Sequence, residues 1–255
     1  MTGTTRLALW QAPSPAGDAA AGLAALAAPL RAAGALGAAA LVVPEVWLPG
    51  YNAGTIAAQA QPRGGGWHRA VAALCREAGA GLVLGYAERD GDRIYNSAVA
   101  FGPDGAEAGH YRKIQLFGPR EKSLYAPGAA YGLFDLGPLR AGMLICYDVE
   151  FDAHVAALAA AGAQAVLVPT ANMMPFTHVG RRTVPAQAAN HGVSIVYANY
   201  CGAEGDLTYV GGSVIVGPHG EVLARAGAGP ALLVADLPDP DPARLSTQAA
   251  DFRRI

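Results

Sequence analysis

The stretch from Gly142 to Phe151, "GMLICYDVEF", decides the reading of the chain, because it sets a cysteine, Cys146, where an apolar β-like run gives way to a polar segment. On either side of it the pattern repeats. "GLFDLGPLRAGMLICYD" reads as two strands, "FDAHVAALAAAGA" as a helix, and "QAVLVPT" as the strand that follows. A helix from about His178 to His191 then feeds "VSIVYAN", and "GGSVIVGPHGEVLARAG" reads as a hairpin turned at Pro218, His219 and Gly220. "ALLVADL" is the last strand before a Pro-rich tail.

The N-terminal half follows the same rule. "RLALWQA" is a strand, Asp18 to Ala33 is helical with Leu23, Leu26 and Leu30 facing inward, and "ALVVPE" is a second strand. "WHRAVAALCREAG" is the next helix, and "GLVLGYAE" with "RIYNSAVAFG" forms a hairpin linked through Asp90, Gly91 and Asp92. Extended structure continues through "AEAGHYRKIQ" to a loop rich in Pro and Gly. Strand and helix alternation mixed with hairpins predicts an α/β layered domain, residues 1–237, with residues 238–255 as a C-terminal arm.

Composition narrows the function. Of 255 residues 52% are apolar and 15% charged, which suits a deeply buried interior, and the net charge of -2 gives no basic surface for nucleic acid or an anionic membrane. The stretch from Ala20 to Val46 is nearly uncharged but is Ala- and Gly-rich and interrupted by Pro29, Arg31 and Pro44, so it reads as helix and strand and not as a membrane span. Cys75, Cys146 and Cys201 are odd in number and widely spaced, which predicts neither a disulfide scaffold nor a zinc knuckle and fits a reducing, cytoplasmic setting. The six histidines are scattered, so no metal site is expected. The residues before Cys146 lack the G-x-S-x-G elbow of an α/β-hydrolase, and Gly64 to Gly66 lack the Lys and Ser or Thr of a phosphate loop.

Three stretches carry chemistry together: "LVVPEVWLPGY" with Glu45, "GHYRKIQLFGPREK" with Lys113 and Glu121, and "GMLICYDVEF" with Cys146. A thiol needs a base, which a carboxylate in a dry pocket supplies, and the oxyanion formed on carbonyl attack needs donors such as Lys113 and the Tyr147 N–H. Taken singly, each has a structural alternative. Cys146 is a core thiol, Glu45 a solvated strand end, Lys113 a lysine on an exposed edge strand, and Glu121 a loop carboxylate paired with Arg120 or Lys122.

The ordered motifs Pro44-Glu45, Tyr111-Arg112-Lys113 and Cys146-Tyr147-Asp148-x-x-Phe151 resemble the nitrilase superfamily of carbon-nitrogen hydrolases, a likeness that runs from about Arg6 to Leu237 and includes "VPTANM" at Val168 to Met173. The resemblance implies a four-layer αββα sandwich and a Glu45, Lys113 and Cys146 triad, with Glu121 orienting Lys113 or the substrate. It also implies cofactor-free chemistry and association at least as a homodimer through helices near the nucleophile and exchanged C-terminal arms. "CYD" after the nucleophile is similar to the amidase branches, so a small aliphatic or amino-acid-derived amide is the expected substrate. A nitrilase, an N-carbamoyl hydrolase and a catalytically silent binding protein on the same fold are the alternatives. Tyr51, Asn172, Met173 and Phe176 are candidate walls of the acyl pocket, with ordinary packing as the other reading. The chain departs from the family pattern at Asp152 and Ala153, and at Gln187 to His191, where a charged pair is missing; Arg181 or Arg182 is a candidate to compensate.

Overall fold

The computed structural model describes residues 4–251 and Arg253. Fourteen strands are formed among them: β1 Thr5–Gln11, β2 Ala40–Val42, β3 Gly81–Asp90, β4 Arg93–Phe101, β5 Glu107–Arg112, β6 Leu133–Leu136, β7 Leu139–Met143, β8 Ala165–Pro169, β9 Ser194–Ala198, β10 Ala203–Glu204, β11 Leu207–Thr208, β12 Val214–Val216, β13 Val222–Arg225 and β14 Ala231–Leu237. The α-helices are α1 Ala19–Ala25, α2 Ala27–Ala35, α3 Ile56–Gln59, α4 Gly66–Ala78, α5 Gly118–Leu124, α6 Asp152–Ala160, α7 Val184–His191 and α8 Gln248–Asp251.

Two six-stranded sheets form, one in the order β14-β1-β2-β3-β4-β5 and the other β13-β12-β9-β8-β7-β6. Each has a parallel centre, β1-β2-β3 and β7-β8-β9, flanked by antiparallel strands that arrive by hairpins or by return of the chain. The sheets bury one face against each other. Leu7, Leu9, Val42, Val83, Ala98 and Ala100 of the first share a core with Phe134, Ala141, Met143 and Leu167 of the second. Small residues on β4 and β5 make this close stacking possible: a Cβ at Gly109 would lie 2.6 Å from the Phe134 ring of the opposite sheet.

The outer faces carry the helices. Leu26, Leu30 and Ala33 with Trp67, Val71 and Cys75 cover Leu41, Leu82, Leu84 and Phe101 of the first sheet, while Val155, Leu158, Val184 and Ala188 from α6 and α7 join the core of the second. The result is the αββα sandwich, with strands reading as near-continuous apolar runs because both faces are buried. Leu23 is only half-buried, since the expected single helix breaks at Leu26 into α1 and α2.

Beyond Leu237 the described part of the arm folds back on its own chain. Asp241 N–H donates to His219 Nε2 at 3.0 Å, and the Leu245 side chain fills the space above Gly192. Part of the arm, at residues 252, 254 and 255, lies outside the described residues. The two departures from the family pattern meet each other: Asp152 at the start of α6 pairs with His191 at the end of α7, 2.7 Å apart. Arg181 and Arg182 are exposed and form no ion pair there among the described residues, so the expected compensating contact is not made.

Candidate active site

Chain ends that leave the two parallel centres converge at one edge of the sandwich. Glu45 lies three residues past β2, in a turn where Val46 adopts a positive φ of 46°, and the turn crosses β3 at Gly85. A Cβ on Gly85 would stand 2.6 Å from Val46 N and 2.7 Å from Pro44 O, so only glycine admits this crossing. Lys113 follows β5 directly, its N–H donating to Asn96 O at 2.8 Å, and Glu121 stands on α5, a short helix where a loop was expected.

These three side chains meet out of water, being 0%, 0% and 2% exposed for Glu45, Lys113 and Glu121. The readings of Glu45 as a solvated strand end, Lys113 as an edge-strand lysine and Glu121 as a surface carboxylate are therefore excluded. Lys113 Nζ donates to Glu45 Oε1 at 2.6 Å and to Glu121 Oε1 at 2.8 Å. Glu121 is fixed further by Tyr51 Oη at 2.7 Å and by the Phe117 N–H at 2.8 Å on its second oxygen. Asn96 Nδ2 also donates to Glu45 Oε1, at 2.7 Å, whereas Glu45 Oε2 has no hydrogen-bond partner among the described residues. An ammonium has three donors, so Lys113 keeps one uncommitted.

Cys146 ends the run from β7 and opens a 3-10 turn over Cys146–Glu150, with a φ of 47° that costs about 1–2 kcal/mol for a residue with a Cβ. Asp148 pins that turn. Its carboxylate accepts the Ile145 N–H at 3.0 Å, the Gln115 N–H at 2.7 Å and the Tyr111 hydroxyl at 2.8 Å, tying the strained cysteine to the segment that bears Lys113. Tyr147 falls in the first turn, where a backbone N–H has no partner within the helix.

The electrostatics follow from this dryness. Burial pushes the Cys146 thiol well above the ordinary thiol range, and the Glu45 charge adds to the rise while Lys113 opposes it. Burial also raises the Glu45 carboxyl, against the pull of Lys113. For Lys113, burial alone would lower the ammonium, but Glu45 and Glu121 outweigh it and hold the group well above its usual value. The centre therefore rests as a thiol with a charged lysine, beside a Glu45 carboxyl of raised basicity.

Cys146 opens into a cavity of about 230 Å³ lined by Tyr51, Phe117, Tyr147, Asn172, Met173 and Phe176, with Glu150 and His178 completing the wall. All four expected wall residues are thus present. Tyr51 is bound to Glu121, and Asn172 Nδ2 donates to Phe176 O at 2.9 Å, so both also hold the wall in shape. Phe117, Glu150 and His178 were not singled out from the sequence. Glu150 had a signal, since it lies four residues past Cys146 in "CYDVEF"; Phe117 and His178 had none. Among the described residues no group of three or more His, Cys, Asp or Glu side chains could hold a metal ion.

The family pattern of the carbon-nitrogen hydrolases matches residues 6–242. An (R)-stereoselective amidase from a Pseudomonas species is 39% identical over 189 residues, covering 73% of this chain and 68% of the relative. A nitrilase from Pyrococcus abyssi is 37% identical over 203 residues, covering 77% of this chain and 75% of its own. Among solved structures, a glutamate-to-glutamine variant of the amidase from Nesterenkonia sp. AN1, with acrylamide added to its active-site cysteine, superposes with a TM-score of 0.87 at 36% identity, covering 92% of this chain and 93% of that one. Because the match starts within the first strand of one sheet and ends past the last strand that pairs with it, the two-sheet domain as a whole belongs to the carbon-nitrogen hydrolases, the nitrilase superfamily.

Proposed function

We propose that this hydrolase is an amidase that converts a small amide to carboxylic acid and ammonia through a thioester on Cys146. One observation carries the reading. Glu45, Lys113 and Cys146 come from three separate stretches, yet Glu45 and Lys113 meet in one dry centre in which Glu45 Oε2 has no partner among the described residues, and Cys146, whose thiol feels both charges, faces the cavity. A structural ion pair has no need of an orphaned carboxylate oxygen, whereas a general base requires one.

The steps balance on these groups. The Cys146 proton passes to Glu45 Oε2 as Sγ bonds to the carbonyl carbon, and the oxyanion is held by the uncommitted Lys113 donor and the Tyr147 N–H. Collapse breaks the C–N bond, and ammonia leaves with the proton returned by Glu45. Water, deprotonated by Glu45, then attacks the thioester, and the acid departs as Sγ regains its proton. Glu121, fixed by two other donors, keeps Lys113 in place and adds negative charge that raises its proton affinity.

A nitrile would pass through a thioimidate that must be hydrated before ammonia leaves, while an amide brings a carbonyl oxygen that fits between Lys113 and Tyr147 at once. The similarity to both an amidase and a nitrilase makes this the distinction to measure. Ammonia release from matched amide and nitrile pairs should favour the amide by about 100-fold in kcat/KM, or about 2.7 kcal/mol in the transition state. Equal or faster nitrile turnover would replace the amidase reading with a nitrilase one.

We further infer a reducing cytoplasmic setting and at least a homodimer, with residues 1–237 as the catalytic domain and the remainder as an arm. All three cysteines are free, no helix among the described residues is long and apolar enough to cross a membrane, and Tyr131, Met174 and Phe176 are exposed apolar side chains available to a partner. Light scattering of an active sample at micromolar concentration should show no monomer; a fully active monomer would refute the dimer.

A further inference from the structure

The cavity above Cys146 is walled by aromatic rings, Phe117 meeting Tyr147 at 5.3 Å and Phe176 at 5.8 Å between centroids, both edge to face. Into this wall the 3-10 turn that begins at Cys146 brings Glu150, half-buried, with no hydrogen bond or ion pair to any described residue. The other carboxylates of the site are engaged. Glu45 and Glu121 share Lys113, and Asp148 accepts three donors. Lys113, the cation at the centre, is shared between two carboxylates and is not hydrogen-bonded to Glu150. His178 also lines the wall and forms no ion pair with Glu150 among the described residues.

A half-buried carboxylate without a partner is costly unless something compensates it, and burial indeed pushes the Glu150 carboxyl upward, against the pull of His178 and Lys113. Electron-rich ring faces beside a carboxylate attract an ammonium by two additive terms, ion pairing and cation–π contact. They repel a second carboxylate.

We propose that Glu150 is the specificity-determining residue of an acyl-side subsite that binds the ammonium group of the substrate, so that amino-acid amides and related amino-alkyl amides are preferred over neutral aliphatic amides and over amides carrying a carboxylate. This rests on the amidase reading and names the substrate class within it. Cys146 opens and Glu150 closes the same 3-10 turn, and both line one small cavity, so a cationic group held by Glu150 would lie a few bonds from the scissile carbonyl.

The test uses the full chain and ammonia release near neutral pH with isosteric pairs: glycinamide against propionamide, and β-alaninamide against butyramide, with succinamate as an anionic member. In at least one pair the cationic amide should exceed its neutral isostere by tenfold or more in kcat/KM, with succinamate poorest. Glu150→Gln should bring that ratio toward one, whatever its effect on absolute rates, and Glu150→Lys should shift preference toward succinamate. A wild-type enzyme that favours the neutral member of every pair, or a ratio that Glu150→Gln does not move, overturns the inference and leaves the amidase reading intact. Absence of ammonia from every amide refutes that reading and the inference with it. Should the variants fail to fold, the wild-type ratios decide alone.

Discussion

Glu45 and Glu88 are both buried, on neighbouring segments of the same sheet, yet their surroundings treat them in opposite ways. Glu88 on β3 accepts the Ser97 hydroxyl and His110 Nε2, at 2.5 and 2.9 Å, and a two-nitrogen grip from Arg112 that Asp90 shares. Burial alone would raise its carboxyl, but the bonds from His110, Arg112 and Ser97 win and hold it far below the usual range. Glu45 has one oxygen crowded by Asn96 and Lys113, the other without a partner among the described residues, and a second carboxylate across the lysine; its carboxyl is raised. A completed shell makes a carboxylate a structural strut, and an incomplete one in the same dry sheet makes it a base.

Exchanging each for its amide should split stability from activity most widely. Glu45→Gln should lower kcat by about 1,000-fold or more with little loss of thermal stability. Glu88→Gln should leave kcat within about threefold and cost about 2 kcal/mol in urea unfolding, because Arg112 and His110 lose their charged acceptor. A Glu88 variant as inactive as the Glu45 variant would erase the distinction.

Lys113 ties the comparison together, since it is the cation that Glu45 must share. Lys113→Met should reduce kcat by about 100-fold through loss of an oxyanion donor, and should also destabilise the fold by about 3 kcal/mol by leaving Glu45 and Glu121 buried without a counter-charge. An effect confined to KM would make Lys113 a binding group only.

Acid titration sharpens the same contrast at smaller scale. The depressed Glu88 carboxyl contributes stability that is present above its unfolded value and lost as pH falls through the folded one, so the gap between wild type and Glu88→Gln should close on acidification below the usual carboxylate range. The raised Glu45 carboxyl has the opposite sign: its contribution is present at low pH and lost as pH rises through its folded value. Glu45→Gln should therefore gain relative to wild type toward neutrality, and the acid limb of wild-type kcat should lie above the ordinary glutamate value. An acid limb at or below that value would contradict the burial argument.

Much of this was legible in the sequence. The β-like runs around Glu45, Lys113 and Cys146 announced themselves by apolar periodicity, and the three motifs named the chemistry. The split of the first helix at Leu26 and the helix under Glu121 were not legible, and neither was the clamp made by Asp148, which depends on Tyr111 and Gln115, more than thirty residues away in the chain. Asn96 shows why: it is one polar residue in an alternating strand, and only the β3–β4 pairing and the crossing at Gly85 bring it to Glu45. Burial was the other hidden quantity. Nothing in "YRKIQ" distinguishes a solvated edge lysine from one that is 0% exposed, since the cover comes from Tyr51, Glu121 and the loop through Gly128, whose N–H donates to Lys113 O at 2.7 Å.

The central claim is a thioester on Cys146 formed with Glu45 as base. Mass spectrometry of protein acid-quenched during turnover of a small amide tests it most directly. An acyl adduct on the peptide that contains Cys146, absent from Cys146→Ala, which should remain folded and release no ammonia, is the expected result. An adduct on Cys75 or Cys201, or ammonia release by Cys146→Ala at the wild-type rate, would contradict it.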